Sequence, residues 1–195
     1  MSENKDTRPV GVLALQGDYE LHEQALDRLG TPHVRVRRPD ELSDVRALII
    51  PGGESTTMTR LIDKLDLRQP ILDFAASGRM ILGTCAGLIM LAKRIEEDEG
   101  RHGVEPLGLL DVLVRRNGFG RQTESFIDDV EMIEGGVASG VFIRAPRILE
   151  TGEEVVTIAT WRQEPVGVRQ GNVIGLTYHP EAAGSVAVCR ILSTL

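Results

Sequence analysis

The chain has 195 residues, of which 42% are hydrophobic, and its 29 acidic residues outnumber 22 basic ones, giving a net charge of −7. This length fits one well-packed domain, and the sequence contains no apolar run long enough to span a bilayer. The negative charge argues against a general nucleic-acid or anionic-membrane partner. Two cysteines are too few for a disulfide framework.

The first nine residues differ from the rest of the sequence. Residues 1–9 are polar and carry charges of both signs. Because they lack the apolar segment of a signal peptide, we expect a polar leader and a cytoplasmic protein. The sequence of residues 10–195 contains no repeat or linker, which predicts one domain over that range.

Strand-like and helix-like segments alternate through the first half of the chain. The runs PVGVLAL, HVRVR, RALIIPGG and RMILG favour strands. Helices are predicted in QGDYELHEQALDRLG, which ends at Gly30, in ESTTMTRLIDKL, where Ser and Thr are available as caps, and in AGLIMLAKRI. This alternation predicts an α/β fold with three layers, in which helices flank a central, mostly parallel sheet.

The second half is rich in strands and punctuated by glycine. Segments such as ESFIDDV, GVFIRAPRI, EVVTIATWR and PVGVRQGNVIGLTYHPE predict antiparallel hairpins that extend the sheet. The acidic stretch IEEDEGRHGVEP is expected to be a solvated connection. The segment GSVAVCRILSTL predicts a final helix that holds Cys189 in its apolar stripe.

Cys85 lies between two glycines at the junction of a predicted strand and a predicted helix. Gly83-Thr84-Cys85-Ala86-Gly87 has the spacing of a nucleophile on a sharp strand–turn–helix elbow. The helix N-terminus would stabilise a thiolate, and the N–H of Ala86 would serve as an oxyanion donor. The pentapeptide alone leaves a second interpretation open, because most free cysteines are small buried residues.

His179 and Glu181 flank Pro180 after the last predicted strand. Alternate residues of extended backbone project to the same side, and proline keeps this segment out of a helix. The carboxylate can therefore orient the imidazole, and Cys85 opposite would complete a Cys-His-Glu triad. A polar turn after a strand is the simpler reading of this segment by itself, but both motifs together favour catalysis.

The turn in IIPGGES is the third candidate element of the site. Gly52 and Gly53 free the backbone to present N–H groups, so a second oxyanion donor at Gly53 is expected. A phosphate-binding loop and a plain turn are the alternatives. No lysine follows in the P-loop arrangement, which argues against nucleotide binding.

The motifs together carry a family resemblance. GTCAGL with a late HPE and an early PGGE resembles the triad (class I) glutamine amidotransferases, whose fold is flavodoxin-like. The stretches GGESTTM, NGFGRQ and VFIRAP are similar to the glutaminase subunits of pyridoxal 5′-phosphate synthase. This resemblance runs from about residue 10 to residue 181 in the expected order.

The resemblance implies an activity and a set of residues. Cys85 would attack the carboxamide of L-glutamine to give a thioester and ammonia, with His179 as base and then acid and Glu181 as its orienting partner. Oxyanion donors would be Gly53 and Ala86. The implied substrate contacts are Gly53, Glu54, Ser55, Arg116, Ile143 and Arg144.

Simpler roles for the charged contacts stay open on the sequence alone. Glu54 is also a suitable acid for a helix N-terminus, and Arg116 and Arg144 could be solvated strand charges. The resemblance further implies docking to the synthase subunit, which would activate the glutaminase and receive its ammonia. No cofactor and no metal site are expected, because the histidines are scattered and there is no C-x-x-C motif.

Three features depart from the family pattern, and two other functions stay open. Gly118 stands where the family usually has serine, the last helix is short, and the connection at 96–106 is acidic and long. These features affect the expected docking and leave the triad intact. The other functions are a glutaminase that serves a different synthase, and a non-enzymatic regulator that uses Cys85 as a redox sensor.

Overall fold

Strands and helices alternate through the first half of the molecule. The computed structural model describes residues 6–96, 103–119 and 125–183. In chain order the elements are β1 (Val10–Leu13), α1 (Tyr19–Arg28), β2 (His33–Val36), a 3₁₀ helix (Pro39–Asp44), β3 (Ala47–Ile50), α2 (Ser55–Lys64), α3 (Arg68–Ala76), β4 (Met80–Thr84) and α4 (Ala86–Leu91).

The second half consists of strands over the part that the structure describes. These are β5 (Ala92–Ile95), β6 (Leu110–Arg115), β7 (Phe126–Met132), β8 (Val137–Phe142), β9 (Arg147–Thr151), β10 (Val156–Trp161), β11 (Glu164–Gln170) and β12 (Val173–Leu176). The predicted final helix with Cys189, and residues 97–102 of the acidic connection, lie outside the described residues.

A nine-stranded mixed sheet organises the fold. Its order is β2-β1-β3-β4-β12-β11-β10-β7-β8. The first five strands pair in parallel, and the following four extend them by antiparallel pairing. The order of the parallel part is that of a flavodoxin-like sheet. The predicted fold class is therefore confirmed, including the antiparallel strands of the second half.

Apolar side chains cover both faces of the parallel strands. Along β3, Ile49 packs into one cluster with Leu26 of α1, while its neighbours Leu48 and Ile50 pack into another cluster on the opposite face. That second cluster includes residues of α2, α3, α4 and a smaller sheet of order β5-β6-β9. Burial on both faces explains why these strands have continuous aliphatic runs instead of alternating ones.

The carboxyl ends of β1, β3 and β4 lie side by side at one edge of the sheet. The turns after β1 and β3 approach so closely that a Cβ added to Gly17 would lie 1.9 Å from the carbonyl oxygen of Gly52. Gly17 also has a φ of 84°, which glycine adopts without strain. This edge of the sheet holds the candidate site.

The predicted helix AGLIMLAKRI is wrong in its second half. Helix α4 ends at Leu91, and the next four residues form β5, which pairs in parallel with β6. The backbone turns to extended geometry at Ala92, with ψ 152°. The all-apolar run before it carries no periodicity that marks the end of the helix, and its strand partner lies more than ten residues away.

One further difference concerns the helices. Helix α3 is absent from the predicted elements; its Pro70 lies in the first turn, where proline is tolerated. The division into a leader at 1–9 and a domain at 10–195 stays a prediction. Among the described residues, none of the helices has the length and apolar character needed to cross a membrane.

Helix α4 lies almost in contact with the end of β3, and Gly87 makes that approach possible. A Cβ on Gly87 would lie 2.0 Å from the carbonyl oxygen of Ile50. Because the obstacle is backbone, no side-chain rotation can relieve the clash.

We therefore expect Gly87→Ala to lower the free energy of unfolding by about 3 kcal/mol, the upper end of the range for overpacking. Urea denaturation measures this change. Gly30→Ala is the matched control, since a Cβ there meets no atom within 4 Å and its φ of 63° should cost only about 1 kcal/mol. Equal losses in the two variants would contradict the close-approach argument.

Candidate active site

Cys85 occupies a strained backbone position between β4 and α4. Its φ of 49° and ψ of −105° lie in a region that L-residues rarely adopt. The amide N–H of Cys85 donates to the carbonyl of Leu176 at 2.8 Å, at the end of the neighbouring strand β12. A cysteine that merely fills the core has no need of such a backbone, so the geometry favours the nucleophile interpretation.

His179 and Glu181 meet Cys85 from the segment that follows β12. Nδ1 of His179 lies 2.8 Å from Oε1 of Glu181, and the amide of His179 donates to the carbonyl of Val141 at 2.8 Å. The other ring nitrogen is thereby available to the neighbouring Cys85, whose interaction with the ring raises the pKa of His179. The structure thus brings the three predicted triad residues together, with His179 4% and Glu181 2% exposed.

The groups around His179 determine the ionisation state of its imidazole. Burial lowers the pKa of His179, but its interactions with Cys85 and Glu181 outweigh burial and raise the pKa to about 10. The arrangement therefore favours the imidazolium form of His179 beside Cys85 and Glu181 near neutral pH. A neighbouring imidazolium is the kind of partner that activates a cysteine nucleophile.

A cavity of about 140 Å³ opens in front of the triad. Nine of the ten predicted site residues line it, and the tenth, Glu181, lies behind His179. The lining also includes three residues that the sequence did not suggest. The complete lining is Asp18, Gly53, Glu54, Ser55, Cys85, Ala86, Ile89, Arg116, Asn117, Ile143, Arg144 and His179.

The three additional lining residues carry only weak sequence signals. Asp18 follows the glycine turn at the carboxyl end of β1, where the sheet-edge rule places ligand sites. Ile89 lies one helical turn after Cys85. Asn117 has a φ of 51°, and Arg144 has a φ of 45°, so the cavity wall contains further strained positions besides Cys85.

The glycine loop before α2 is held by a side chain from the turn after β1. The amide of Gln16 donates to the carbonyl of Glu54 at 3.3 Å and accepts from its N–H at 3.1 Å. Gly53 has a φ of 145°, and a Cβ there would lie 2.6 Å from the Gln16 side chain. Gly53 and the amino end of α4 at Ala86 border the same cavity, so N–H groups from both sides can face a reacting carbonyl.

Glu54, and not Ser or Thr, caps α2, which corrects the predicted cap. Its two carboxylate oxygens accept from the N–H groups of Thr56 at 3.1 Å and Thr57 at 2.7 Å. Burial raises the pKa of Glu54, but these hydrogen bonds outweigh it and hold the pKa below its usual range. The same carboxylate lies 3.5 Å from Nη2 of Arg116 across the cavity.

Charges of both signs therefore face the cavity. Arg116 and Arg144 contribute guanidinium groups, and Asp18 and Glu54 contribute carboxylates. Within the ranges that the structure describes, no group of three or more His, Cys, Asp or Glu side chains is arranged to hold a metal ion. The site is suited to a small zwitterion whose electrophilic carbon reaches Cys85.

The model of the SNO glutamine amidotransferase family matches residues 12–191. A Geobacillus thermodenitrificans protein named pyridoxal 5′-phosphate synthase subunit PdxT is 47% identical over 175 residues, covering 88% of this chain and 87% of the relative. A protein of the same name from Thermotoga maritima is 43% identical over 183 residues, covering 93% and 95%. The chain belongs to the SNO glutamine amidotransferase family.

Solved structures agree with this assignment. A crystal structure of a glutamine amidotransferase superposes with a TM-score of 0.87 at 43% identity, covering 93% of this chain and 95% of that chain. The structure of PurLQS from Thermotoga maritima has a TM-score of 0.70 at 18% identity, covering 96% and 99%, and shows the fold alone. The expectation of a class I glutamine amidotransferase-like fold is confirmed.

In this glutamine amidotransferase, the carboxylate of Glu181 should set the ionisation of His179. We expect Glu181→Gln to lower the pKa of His179 by about 1–3 pH units, because the substitution removes a contacting negative charge. An NMR titration of the ring of His179 measures this change.

Glu23→Gln serves as the control for this titration. Glu23 lies on α1 outside the cavity and binds Arg35 at 2.7 and 2.8 Å, so its neutralisation should leave the pKa of His179 where it was. A pKa of His179 that is equal in Glu181→Gln and the unsubstituted chain would refute the electrostatic account.

Proposed function

We propose that this chain hydrolyses L-glutamine to L-glutamate and ammonia through a thioester on Cys85, and delivers the ammonia to the synthase subunit of pyridoxal 5′-phosphate synthase. The observation that carries the proposal is the meeting of Cys85 with His179, which is hydrogen-bonded to Glu181, at a cavity with charges of both signs. Relatives at 43–47% identity named as subunits of that synthase support the partner. The cytoplasmic location stays a prediction.

The first half of the reaction forms the thioester. The thiolate of Cys85 attacks the carboxamide carbon of glutamine, and the carbonyl π electrons move to oxygen as the C–S bond forms. The imidazolium of His179 then gives its proton to the nitrogen, the C–N bond breaks, and ammonia leaves. Glu181 holds the ring in the tautomer that faces Cys85 throughout.

The second half releases glutamate. His179, now neutral, takes a proton from water, and the resulting hydroxide attacks the thioester carbon. The C–S bond breaks when the tetrahedral intermediate collapses, which regenerates the thiolate of Cys85 next to the imidazolium. Because both half-reactions pass through an oxyanion, N–H donors at Gly53 and Ala86 would act twice in each turnover.

Recognition of free glutamine needs opposite charges at one end of the cavity. The α-ammonium group would bind the carboxylate of Glu54, and the α-carboxylate would bind Arg116 or Arg144. Ser55 and Ile143 would complete the contacts to the side chain. In this arrangement the carboxamide extends toward Cys85, and substrates that lack the amino-acid head group bind weakly.

Replacement of the thiol tests the proposed nucleophile. We expect Cys85→Ala to abolish glutamate release from glutamine, because no thioester can form. The assay quantifies glutamate and ammonia with the full chain alone and mixed with its synthase subunit. We expect the unsubstituted chain to be faster in the mixture.

Cys189→Ala is the matched control for Cys85→Ala and should keep most of the activity. Glutamate release by Cys85→Ala at the unsubstituted rate would overturn the proposed mechanism. A rate for the unsubstituted chain that is unaffected by the synthase subunit would retain the glutaminase and exclude the partner. Oxidation of Cys85 by peroxide without any glutamine turnover would support the redox-sensor alternative.

Arg116 should contribute to binding more than to chemistry. We expect Arg116→Met to raise the KM for glutamine by about 10- to 100-fold, the loss that follows when a charge-assisted hydrogen bond to a carboxylate is removed. The value of kcat should change little. Steady-state kinetics in the complex with the synthase subunit separate the two parameters.

The neighbouring Arg115 provides the control for that experiment. Arg115 is outside the cavity lining and forms an ion pair with Glu96, so Arg115→Met should leave the KM unchanged. An Arg116→Met variant with unchanged KM would exclude Arg116 as a substrate contact.

A further inference from the structure

A second buried histidine contacts the triad from behind. His22 lies on α1, is 1% exposed, and is not part of the cavity lining. Its Nε2 lies 3.3 Å from Oε1 of Glu181 and 3.1 Å from Oγ1 of Thr84. The sequence offered no signal for this contact, because 159 residues separate His22 from Glu181.

The contacts of His22 determine where its ring hydrogen lies. If Nε2 carried a lone pair, that lone pair would face the Glu181 carboxylate at 3.3 Å, which is repulsive. A hydrogen on Nε2 instead points at two oxygen acceptors, the carboxylate of Glu181 and the hydroxyl of Thr84. His22 therefore hydrogen-bonds the Thr84 hydroxyl and keeps an attractive polar contact with Glu181 at 3.3 Å, from the side opposite to the catalytic cavity.

Glu181 needs such a donor because it is almost fully removed from water. The residue is 2% exposed, and Oε1 is the atom that both His179 and His22 contact. Burial raises the pKa of Glu181, but electrostatic attraction to His22 and hydrogen bonds from His179 and His22 outweigh burial and hold it well below its usual range. Two imidazoles thus share one carboxylate oxygen.

The contact with Thr84 extends this arrangement to the nucleophile. Thr84 is fully buried and immediately precedes Cys85 at the end of β4. His22 consequently connects the end of β4, which carries the nucleophile, with the segment after β12, which carries His179 and Glu181. One ring on α1 bridges the two parts of the triad.

We propose that His22 is a positioning residue, which holds the Glu181 carboxylate against His179 and ties it to the strand end that carries Cys85. The inference rests on the proposed glutaminase function. It predicts an effect on turnover without an effect on substrate binding, because His22 touches neither the cavity nor the reacting atoms.

Three substitutions of His22 separate positioning from packing. His22→Leu removes the donor, and we expect kcat to fall by about 10- to 100-fold with unchanged KM, the range found when partners that orient metal-ligating histidines are removed. His22→Gln places an N–H near the position of Nε2 and should keep most of the activity. His22→Asn carries the same amide on a shorter side chain that cannot reach Glu181, and it should behave like His22→Leu.

The assay uses the full chain with its synthase subunit, and thermal unfolding of each variant accompanies it. His33→Leu is the control, since His33 lies on β2 with its ring 3.9 Å from Asp27, outside the cavity, and should leave kcat unchanged. If kcat in His22→Gln falls as far as in His22→Leu, or if KM rises instead of kcat falling, the positioning role is refuted.

A double-mutant cycle tests whether His22 acts through Glu181. In a Glu181→Ala background, measured at high enzyme concentration, His22→Leu should change kcat by less than about twofold, because the group that it orients is gone. If each substitution lowers kcat by the same factor in the presence and absence of the other, His22 acts through general packing and the inference is overturned. The proposed function has its own test, since it fails only if Cys85→Ala is active or the unsubstituted chain does not release glutamate.

Discussion

The positive φ of Cys85 is the constraint on which the rest of the site depends. A strand that turns into a helix within one residue leaves no space for side chains on either side. A Cβ added to Gly83 would lie 2.6 Å from the backbone of Gly87. A Cβ added to Gly87 would lie 2.0 Å from the carbonyl oxygen of Ile50. The Cys85 N–H then binds the end of β12, which fixes the strand that leads to His179. Strain at one residue is thus maintained by close backbone contacts on three neighbouring strands.

Burial and the neighbouring polar groups shift the pKa values of His179 and Glu181 in opposite directions. Removal from water raises the pKa of Glu181 and lowers that of His179, and in each case the partners of the group reverse the effect. The charged forms therefore persist only while the three side chains, and His22 behind them, keep their contacts. Cys85 directly follows β4, and His179 and Glu181 follow the adjacent strand β12, so the sheet fixes the two segments that carry these groups. Glu54 and Arg116, the proposed substrate contacts, lie at the open side of the cavity, at the start of α2 and just after β6.

Much of the fold and the placement of Cys85, His179 and Glu181 could be predicted because the relevant information is local. The apolar runs of β1, β3 and β4 indicate buried parallel strands, and the spacing around Cys85 and Pro180 determines how the side chains project. Strand β5 could not be predicted, since its extended geometry is stabilised by pairing with the distant β6. The hydrogen bonds of Gln16 to the backbone of Glu54 and the contact of His22 with Glu181 likewise join residues far apart in sequence. Such contacts depend on the topology of the sheet, and no short motif encodes them.

Glu54 illustrates why two roles that look exclusive in the sequence, a helix cap and the proposed substrate contact, are compatible in the structure. Its carboxylate accepts hydrogen bonds from the first turn of α2, as a helix-capping acid does, and it lies 3.5 Å from Arg116 at the cavity. The helix N–H groups fix the orientation of the carboxylate before any ligand arrives. Because the carboxylate is already ordered, binding of a cation there costs little side-chain conformational entropy. The helix cap therefore favours binding at this carboxylate. The helix cap and the proposed substrate contact therefore coincide, because the same carboxylate accepts from the backbone of α2 on one side and faces the cavity on the other.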